Sequence, residues 1–194
     1  MKVVYGGAFN PVTKAHIRAY KYIVEKIEVE EFIFLPVSNA YTKSELLSNH
    51  HRVSMLELAT KDFNDIKISK LEIEDNDFLG TYQSLIRLSD SENCEISFVI
   101  GADNLFYLHK WLNIKSLLSE FKIIILKRNG INITKTIEED IVLKEFKKSF
   151  IIFDEFDEKT SSSLFRETFD KKIVNDEVYN YIIKNDLFRG GKDV

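Results

Sequence analysis

Six short runs of β-branched and aromatic residues alternate with helical segments, and this alternation constrains the fold most. The runs are KVVY (2–5), EFIFLPV (31–37), IKISKLEI (66–73), EISFVI (95–100), KIIILK (122–127) and FIIF (150–153). Several are apolar throughout, which is typical of strands covered on both faces. The segments between them repeat apolar residues at helical spacing. The pattern predicts an α/β fold, a Rossmann-like, doubly wound and mostly parallel sheet with helices on both faces.

The length and charge of the chain limit its classes of partner. With 194 residues we expect a single domain over residues 1–194, in which about 161–190 form a C-terminal helical subregion. The net charge of −4 gives no overall attraction to nucleic acid or to an anionic membrane, so an anion site must be local. No apolar run is long enough to predict a membrane span. We therefore expect neither nucleic acid nor membrane as a partner.

Cysteine usage bears on the compartment. The one cysteine, Cys94, permits no internal disulfide, which is typical of a reducing compartment. We expect a cytoplasmic protein. The sequence leaves the oligomeric state open, a homo-oligomer included.

A glycine-rich loop, GGAFNPVTKAH, joins the first predicted strand to the first predicted helix. Ligands of doubly wound sheets lie beyond the carboxyl ends of strands. Gly6 and Gly7 allow backbone conformations that are closed to other residues and let a ligand approach closely. Thr13 is an N-cap candidate, and His16 lies one turn further on the same side. Free N–H groups of that first turn favour a phosphate. The residues alone leave open a plain turn with a core histidine.

Three predicted helix starts carry basic residues, although the helix dipole favours acidic ones there. They are Lys14, His16 and Arg18 in the first helix, His50, His51 and Arg52 in the second, and Arg166 near the serine run of a later one. A basic side chain at such a position destabilises the helix by a few tenths of a kcal/mol unless an anion compensates its charge. The three cases favour a polyanionic ligand. The alternative is that nearby acidic residues neutralise the basic side chains or that these side chains extend into solvent.

Several familiar sites are disfavoured. The loop matches neither G-x-G-x-x-G nor G-x-x-x-x-G-K-[ST], which argues against dinucleotide dehydrogenases and P-loop NTPases. Four scattered histidines and one cysteine provide no H-E-x-x-H or C-x-x-C motif, so we expect no protein-held metal.

The loop resembles the G-G-x-F-[DN]-P-[IV]-[HT]-x-[GA]-H signature of the nucleotidyltransferase superfamily. Five further stretches resemble, in order, motifs of the bacterial nicotinate-mononucleotide adenylyltransferase family: HHRVSMLELA (50–59), LGTYQSL (79–85), FVIGADNLFYLHKWL (98–112), KTSSSLFRE (159–167) and VYNYIIKNDLF (178–188). Together they span nearly the whole chain. The resemblance implies transfer of AMP from ATP to nicotinate mononucleotide, with deamido-NAD and pyrophosphate as products. It also implies Mg²⁺ accompanying the triphosphate with few protein ligands.

The resemblance implies roles for individual residues. The catalytic contacts with the ATP phosphates would come from Thr13, His16 and Arg166. ATP would be bound by Gly7, Ala8, Phe9, Lys43, Gly101, Asp103, Ser161 and Ser162. The mononucleotide would contact Trp111 by stacking and the backbone around Thr81 and Tyr82. Trp111 in the core and Asp103 as an N-cap are the structural alternatives, and Arg52 is expected to serve the fold through a buried ion pair.

Some positions depart from the family pattern. Thr13 replaces the more usual histidine, Ala15 replaces glycine, Gly80 stands where tyrosine is usual, and Ser163 replaces threonine. PVT and SSSL are also similar to pantetheine-phosphate adenylyltransferase, although the other motifs and the longer chain favour the nicotinate family. Nicotinamide mononucleotide and phosphopantetheine stay as alternative acceptors. A nucleotide-binding regulator is the non-enzyme alternative, against which the retained His16 and Arg166 argue.

Overall fold

A computed structural model describes residues 1–39, 46–75, 80–90, 95–156 and 158–188. Within these ranges six strands form one sheet, and every pairing between neighbours is parallel. The strands are β1 (Lys2–Gly7), β2 (Glu31–Pro36), β3 (Ile66–Ile68), β4 (Ile96–Gly101), β5 (Lys122–Leu126) and β6 (Phe150–Phe153). Their order, β3-β2-β1-β4-β5-β6, is that of a doubly wound sheet. The predicted fold class is confirmed.

Ten α-helices lie within the described ranges and cover both faces of the sheet. They are α1 (Lys14–Lys26), α2 (Asn49–Thr60), α3 (Leu71–Glu74), α4 (Thr81–Asp90), α5 (Leu105–Leu108), α6 (Ile114–Glu120), α7 (Ile133–Glu139), α8 (Ile141–Glu145), α9 (Ser162–Thr168) and α10 (Asp176–Lys184). In these parts of the chain, no helix has both the length and the apolar character that crossing a bilayer requires.

Two apolar clusters, one on each face, result from the alternation of side chains along β1. Val3 belongs to the cluster that contains buried residues of α1, α2, α9 and α10, such as Ala19, Met55 and Ile182. Val4 belongs to the cluster formed with α4 to α8, to which Leu117 contributes. Residues of the predicted C-terminal subregion thus share a core with the sheet. The division into one domain with a subregion from about 161 stays a prediction.

The third predicted run is shorter as a strand than expected. The strand ends at Ile68, and the following residues turn into α3 instead of extending to residue 73. The Ser69 hydroxyl accepts a hydrogen bond from the Leu71 backbone N–H at 3.3 Å. Such a local side-chain bond offers the backbone an alternative to the sheet ladder. The strand prediction rested on apolar residues alone and did not take account of this side-chain hydrogen bond.

The sheet order places β1 beside β4, and the chain moves outward from this pair in opposite directions. The crevice beyond their carboxyl ends is therefore the switch point at which doubly wound folds bind ligands. The glycine-rich loop follows β1, and Gly101 ends β4 at the same edge. The fold thus brings two of the sequence motifs together there.

Arg52 of α2 is completely buried and connects three segments around this crevice. Its guanidinium donates to the carbonyl oxygens of Leu47 at 3.1 Å, Ala8 at 2.7 Å and Val37 at 2.6 Å. It also donates to the amide oxygens of Asn39 and Asn49. Arg52 therefore serves the fold, as expected, but its described partners are neutral oxygens and not the carboxylate of an ion pair. Burial lowers the pKa of Arg52 to about 10, so the group stays charged at neutral pH.

Replacing Arg52 by methionine is expected to lower the free energy of unfolding by about 3 kcal/mol or more. The reason is that several buried oxygens lose their donor, at about 1–3 kcal/mol for each unsatisfied group. Urea denaturation measures the change. Arg87→Met is the matched control, because the Arg87–Asp75 ion pair is partly exposed and is expected to contribute less than about 1 kcal/mol. An Arg52→Met variant as stable as the control would contradict the assigned role.

Candidate active site

The glycine-rich loop obtains its shape from Phe9, not from its glycines. Phe9 has a positive φ of 48°, whereas Gly6 and Gly7 belong to β1 and do not adopt positive φ. The special conformations that glycine allows are therefore not used at these two positions. Gly6 is required for a different reason, since a Cβ there would lie 2.6 Å from the Phe98 ring. The buried Phe9 ring packs edge-on against His16 and Phe34, which holds the unusual backbone in place.

Contacts from α9 and from residue 47 fix the rest of the loop. Arg166 Nη1 donates to the Asn10 carbonyl at 2.6 Å, and the Ser162 hydroxyl donates to the Pro11 carbonyl at 2.8 Å. The Leu47 N–H donates to Asn10 Oδ1 at 3.3 Å. Arg166 and Ser162, which the resemblance assigned to the phosphates, thus position the loop in this structure. Their contacts with phosphates stay a prediction.

Thr13 and His16 form a local arrangement at the start of α1. Thr13 is the N-cap, as the sequence predicted, and its backbone N–H donates to His16 Nδ1 at 2.9 Å. The Thr13 hydroxyl is also 2.9 Å from Nδ1 and is buried, so it faces the imidazole. Because Nδ1 accepts a backbone N–H, the proton of the neutral ring lies on Nε2. His16 thus has one N–H available for a ligand, and Thr13 fixes its tautomer.

The electrostatic surroundings of His16 keep the ring neutral. Burial, with a smaller contribution from the positive charge of Arg128, lowers the pKa of His16 to about 4, while a backbone hydrogen bond with Thr13 and the charge of Glu158 act in the opposite direction. Tyr5 and Phe9 enclose the ring at centroid distances of 5.8 Å and 5.1 Å. At neutral pH, His16 is therefore a hydrogen-bond donor without a charge of its own.

A large cavity of about 500 Å³ opens at the switch point. A ligand the size of a nucleotide fits such a volume. Its lining combines the β1 loop, the end of β4, and the residues Gly80, Thr81, Lys110, Trp111 and Leu112. The Trp111 ring lies edge-on to Phe98 at 6.2 Å, so it belongs both to the core and to the cavity wall. Gly80 has a φ of +88°, where a tyrosine would be strained.

A second cavity of about 170 Å³ also has His16 in its wall. It is lined by Ala15, by Lys127, by Glu158 and Thr160, and by Ser161–Ser163. Ser161 is the N-cap of α9 and accepts from the Leu164 N–H at 3.0 Å. Glu158 is paired with Arg18, which holds its pKa down although burial opposes this, and it also accepts from Thr160.

Four residues line both cavities, and we call them the junction set: Tyr5, His16, Gly101 and Arg128. They come from β1, α1, the end of β4 and the segment after β5. The two cavities therefore adjoin at these residues. A ligand in one cavity can meet a ligand in the other there.

The structure brings together most of the predicted site residues, with some exceptions. Gly7, Phe9, Thr81 and Trp111 line the large cavity, and Ser161 and Ser162 line the small one. Asp103 and Arg166 are outside both linings, and the Ala8 carbonyl is directed to Arg52. The Tyr82 hydroxyl donates to Glu120 at 2.8 Å, which leaves its backbone as the predicted contact. Lys43 lies outside the described residues.

Most of the basic residues at the helix starts, Arg18, His51, Arg52 and Arg166, have structural explanations, which weakens them as an argument for a polyanion. Arg52 is the buried guanidinium described above, and His51 Nδ1 lies 3.0 Å from the Tyr181 hydroxyl. Arg18 contacts Glu158 and Thr160. Arg166 lies in the last turn of the short α9, not in its first part. His16 of this group stays in the site.

Several lining residues were missed in the sequence, and three of them carry polar groups that bear directly on the site. Tyr5 and Arg128 belong to the junction set, and Glu72 of α3 is a buried carboxyl group in the large cavity. Position could have indicated two of them, because Tyr5 is near the carboxyl end of β1 and Arg128 follows β5 by two residues. Glu72 had no such signal, since its segment was read as a strand. Burial raises the pKa of Glu72, and its Oε1 accepts from the Ser84 hydroxyl at 2.7 Å.

The sheet order, the loop after β1 and the two adjoining cavities at the switch point define a Rossmann-like nucleotide-binding protein. The family described as Cytidylyltransferase-like matches residues 4–168. A relative from Acholeplasma laidlawii (strain PG-8A), named "Probable nicotinate-nucleotide adenylyltransferase", is 32% identical over 194 residues and covers 97% of each chain. The chain belongs to the cytidylyltransferase-like family, and within it to the nicotinate-nucleotide adenylyltransferases.

Solved structures show the same fold. Plasmodium falciparum nicotinic acid mononucleotide adenylyltransferase complexed with APC has a TM-score of 0.75 and 20% identity, with 96% of each chain covered. The same Plasmodium enzyme complexed with NaAD has a TM-score of 0.73 and 21% identity at the same coverage.

His16 is expected to titrate near pH 4, well below the ordinary value of 6.5, in the ligand-free protein. The ring is then neutral from about pH 5.5 upward and becomes charged only on stronger acidification. Histidine NMR signals followed against pH measure this, and the His16→Gln variant assigns the signal. Pyrophosphate is expected to raise the pKa, because an anion stabilises the imidazolium. A His16 signal titrating above pH 6 without ligand would contradict the tautomer and burial described here.

Proposed function

We propose that this chain transfers the adenylyl group of ATP to nicotinate mononucleotide, giving deamido-NAD and pyrophosphate. The observation that carries the proposal is the pair of cavities that adjoin at His16, because a two-substrate transfer needs two sites in contact at one reacting group. The relatives' names and the NaAD complex of the Plasmodium enzyme support the choice of substrates. Four of the motifs that resemble this family, the glycine-rich loop and the stretches 79–85, 98–112 and 159–167, contribute residues to the two linings.

The linings suggest which substrate occupies which cavity. The large cavity has Trp111 and Thr81 in its wall, which suits a pyridine ring stacked on an indole and a polar ring substituent. The small cavity has the Ser161–Ser163 run and the start of α1, which suit phosphate groups of ATP. The phosphate of the mononucleotide would then meet the α-phosphate of ATP at the junction set.

The chemistry needs no covalent intermediate. The 5′-phosphate of the mononucleotide is already anionic and can attack the α-phosphorus directly, so the protein must align the reactants and stabilise developing charge. His16 Nε2–H is the proposed donor to a phosphate oxygen, and its orientation is fixed by Thr13. The approach of two polyanions raises the pKa of His16, so that its donor becomes stronger as the substrates bind.

Mg²⁺ is proposed to enter with ATP as part of the substrate. Among the described residues no cluster of three or more His, Cys, Asp or Glu side chains could hold a metal. Mg²⁺ commonly keeps several waters and is held by substrate phosphates with one or two protein carboxylates. Asp103, two residues after Gly101 at the end of β4, would serve that limited role through Oδ2, because its Oδ1 has almost no exposed surface.

Nicotinamide mononucleotide is a second candidate acceptor, and the protonation state of Glu72 bears on the choice between the two. Glu72 lines the large cavity, and its Oε2 has no described partner and almost no exposed surface, so a ligand reaches this oxygen only if the side chain turns toward the cavity. An ionised carboxylate can accept from a carboxamide N–H but repels the carboxylate of nicotinate. Because burial raises the pKa of Glu72, a protonated group can instead donate to nicotinate. The acceptor assay compares the two substrates directly.

Pyrophosphate release with Mg·ATP and one acceptor at a time tests the proposed function. The acceptors are nicotinate mononucleotide, nicotinamide mononucleotide and phosphopantetheine, and the first is expected to give the highest kcat/KM. His16→Ala is the control for contaminating activity and is expected to lose at least about tenfold in kcat/KM, which corresponds to roughly 1.4 kcal/mol of transition-state stabilisation. No release with any acceptor would contradict the enzyme proposal and favour the nucleotide-binding regulator.

Trp111→Ala is expected to raise the KM for the mononucleotide at least about fivefold more than the KM for ATP, because stacking is lost in one cavity only. Steady-state kinetics with each substrate varied measure the two values. Trp111→Phe retains an aromatic ring against Phe98 and is the control for packing. Equal losses for both substrates would show that Trp111 is structural.

A further inference from the structure

The junction set contains two side chains with no role assigned so far, Tyr5 and Arg128. The inference that follows rests on the proposed function, because it concerns the phosphate that would be transferred between the two cavities. A phosphate at the boundary of both cavities contacts the residues that line both of them. His16 and the backbone of Gly101 account for the other half of the set.

The Tyr5 ring is held firmly in this position. It stacks on Phe34 with centroids 5.9 Å apart and an interplanar angle of 27°. Phe9 contacts it edge-on at 5.8 Å, and the His16 ring is 5.8 Å away. A side chain enclosed in this way has little rotamer freedom to lose when a ligand binds, so its hydroxyl is pre-organised.

The Tyr5 hydroxyl makes no hydrogen bond within the described residues, although the ring is largely enclosed. Buried tyrosines usually satisfy the hydroxyl with a protein partner. Tyr20 shows this in the same cluster, since its hydroxyl donates to Asp65 at 2.7 Å. Within the described residues, the unpartnered polar atoms that are inaccessible to solvent do not include the Tyr5 hydroxyl. Its oxygen is therefore exposed, which agrees with its place on the cavity wall. It is a fixed donor directed at a space for a ligand.

Arg128 provides charge at the same boundary. Its Nη1 is 4.0 Å from Asp103 Oδ2, a loose pair in which both side chains are partly exposed. Both Arg128 and Asp103 are close enough to influence the pKa of Tyr5, which burial raises to about 12. Tyr5 therefore keeps its proton, and its ability to donate, at every pH at which the protein would work.

We propose that the Tyr5 hydroxyl is a further catalytic group, which donates a hydrogen bond to the phosphate being transferred, beside His16 and Arg128. In the step, an oxygen of the mononucleotide phosphate forms a bond to the α-phosphorus of ATP. The bond from that phosphorus to the oxygen bridging to the β-phosphorus breaks, and its electron pair leaves with pyrophosphate. Negative charge grows on the non-bridging and leaving oxygens, where a fixed O–H donor stabilises it. Tyr5 keeps its proton throughout.

Tyr5→Phe tests the proposal with a change of one oxygen atom. The variant is expected to lose at least about tenfold in kcat, while the KM values for ATP and nicotinate mononucleotide change less than about threefold. Its thermal unfolding midpoint is expected to match the wild type, because the ring contacts remain. Tyr22→Phe is the matched control, since Tyr22 packs against Phe153 and Phe156 and itself lines neither cavity. It is expected to keep wild-type kinetics.

The outcomes separate this inference from the proposed function. Wild-type turnover together with a Tyr5→Phe kcat within about twofold of wild type overturns the role of Tyr5 and leaves the proposed function intact. A loss confined to KM overturns it too, because it would show ground-state binding only. Absence of turnover in the wild type with all three acceptors overturns both. A kcat loss in Tyr5→Phe but not in Tyr22→Phe, with unchanged thermal unfolding, supports the proposal.

Discussion

The site depends on a buried cation that cannot touch the substrates. The guanidinium of Arg52 is completely buried and is surrounded by neutral oxygens. One of them is the carbonyl oxygen of Ala8 in the glycine-rich loop. In a planar trans peptide, the C=O and the following N–H point in opposite directions. By drawing the Ala8 carbonyl inward, Arg52 turns the N–H of Phe9 away from itself. The predicted phosphate contact of this loop would therefore be a consequence of core hydrogen bonding, and the same guanidinium joins α2 and the end of β2 to the loop through the carbonyls of Leu47 and Val37.

Much of the fold and part of the site could be predicted because the relevant physics is local. Apolar runs and helical periodicity depend on neighbouring residues, so they indicated the six strands and the main helices. The same holds for Thr13 as the N-cap and for His16 one turn later. Their mutual hydrogen bond spans three residues and needs no tertiary context. The ordered motifs then indicated the family, which the matching relatives confirm.

The parts that were not predictable depend on distant segments. Arg166 and Ser162 contact Asn10 and Pro11 across about 150 residues of sequence, so no local pattern distinguishes a loop anchor from a phosphate ligand. The basic residues at helix starts have no partner nearby in the sequence, because their partners, such as Glu158 for Arg18, are also far away along the chain. The reason for Gly6 is the Phe98 ring on the neighbouring strand. Tyr5 and Arg128 were missed since only the sheet order brings β1 and β5 residues to one boundary.

The donors at the junction are mostly neutral, and this has a physical reason. An unpaired charge in an enclosed site would cost several kcal/mol before any substrate arrives. A neutral imidazole held by Thr13, a tyrosine hydroxyl with a raised pKa and backbone N–H groups avoid that cost. The charged groups described nearby are instead paired or partly exposed: Arg18 with Glu158 and Arg128 with Asp103. When two polyanions enter, the neutral donors need no reorganisation, and the proximity of negative charge favours protonation of His16. The site would therefore gain positive character from its substrates, which suits a chain whose net charge is negative.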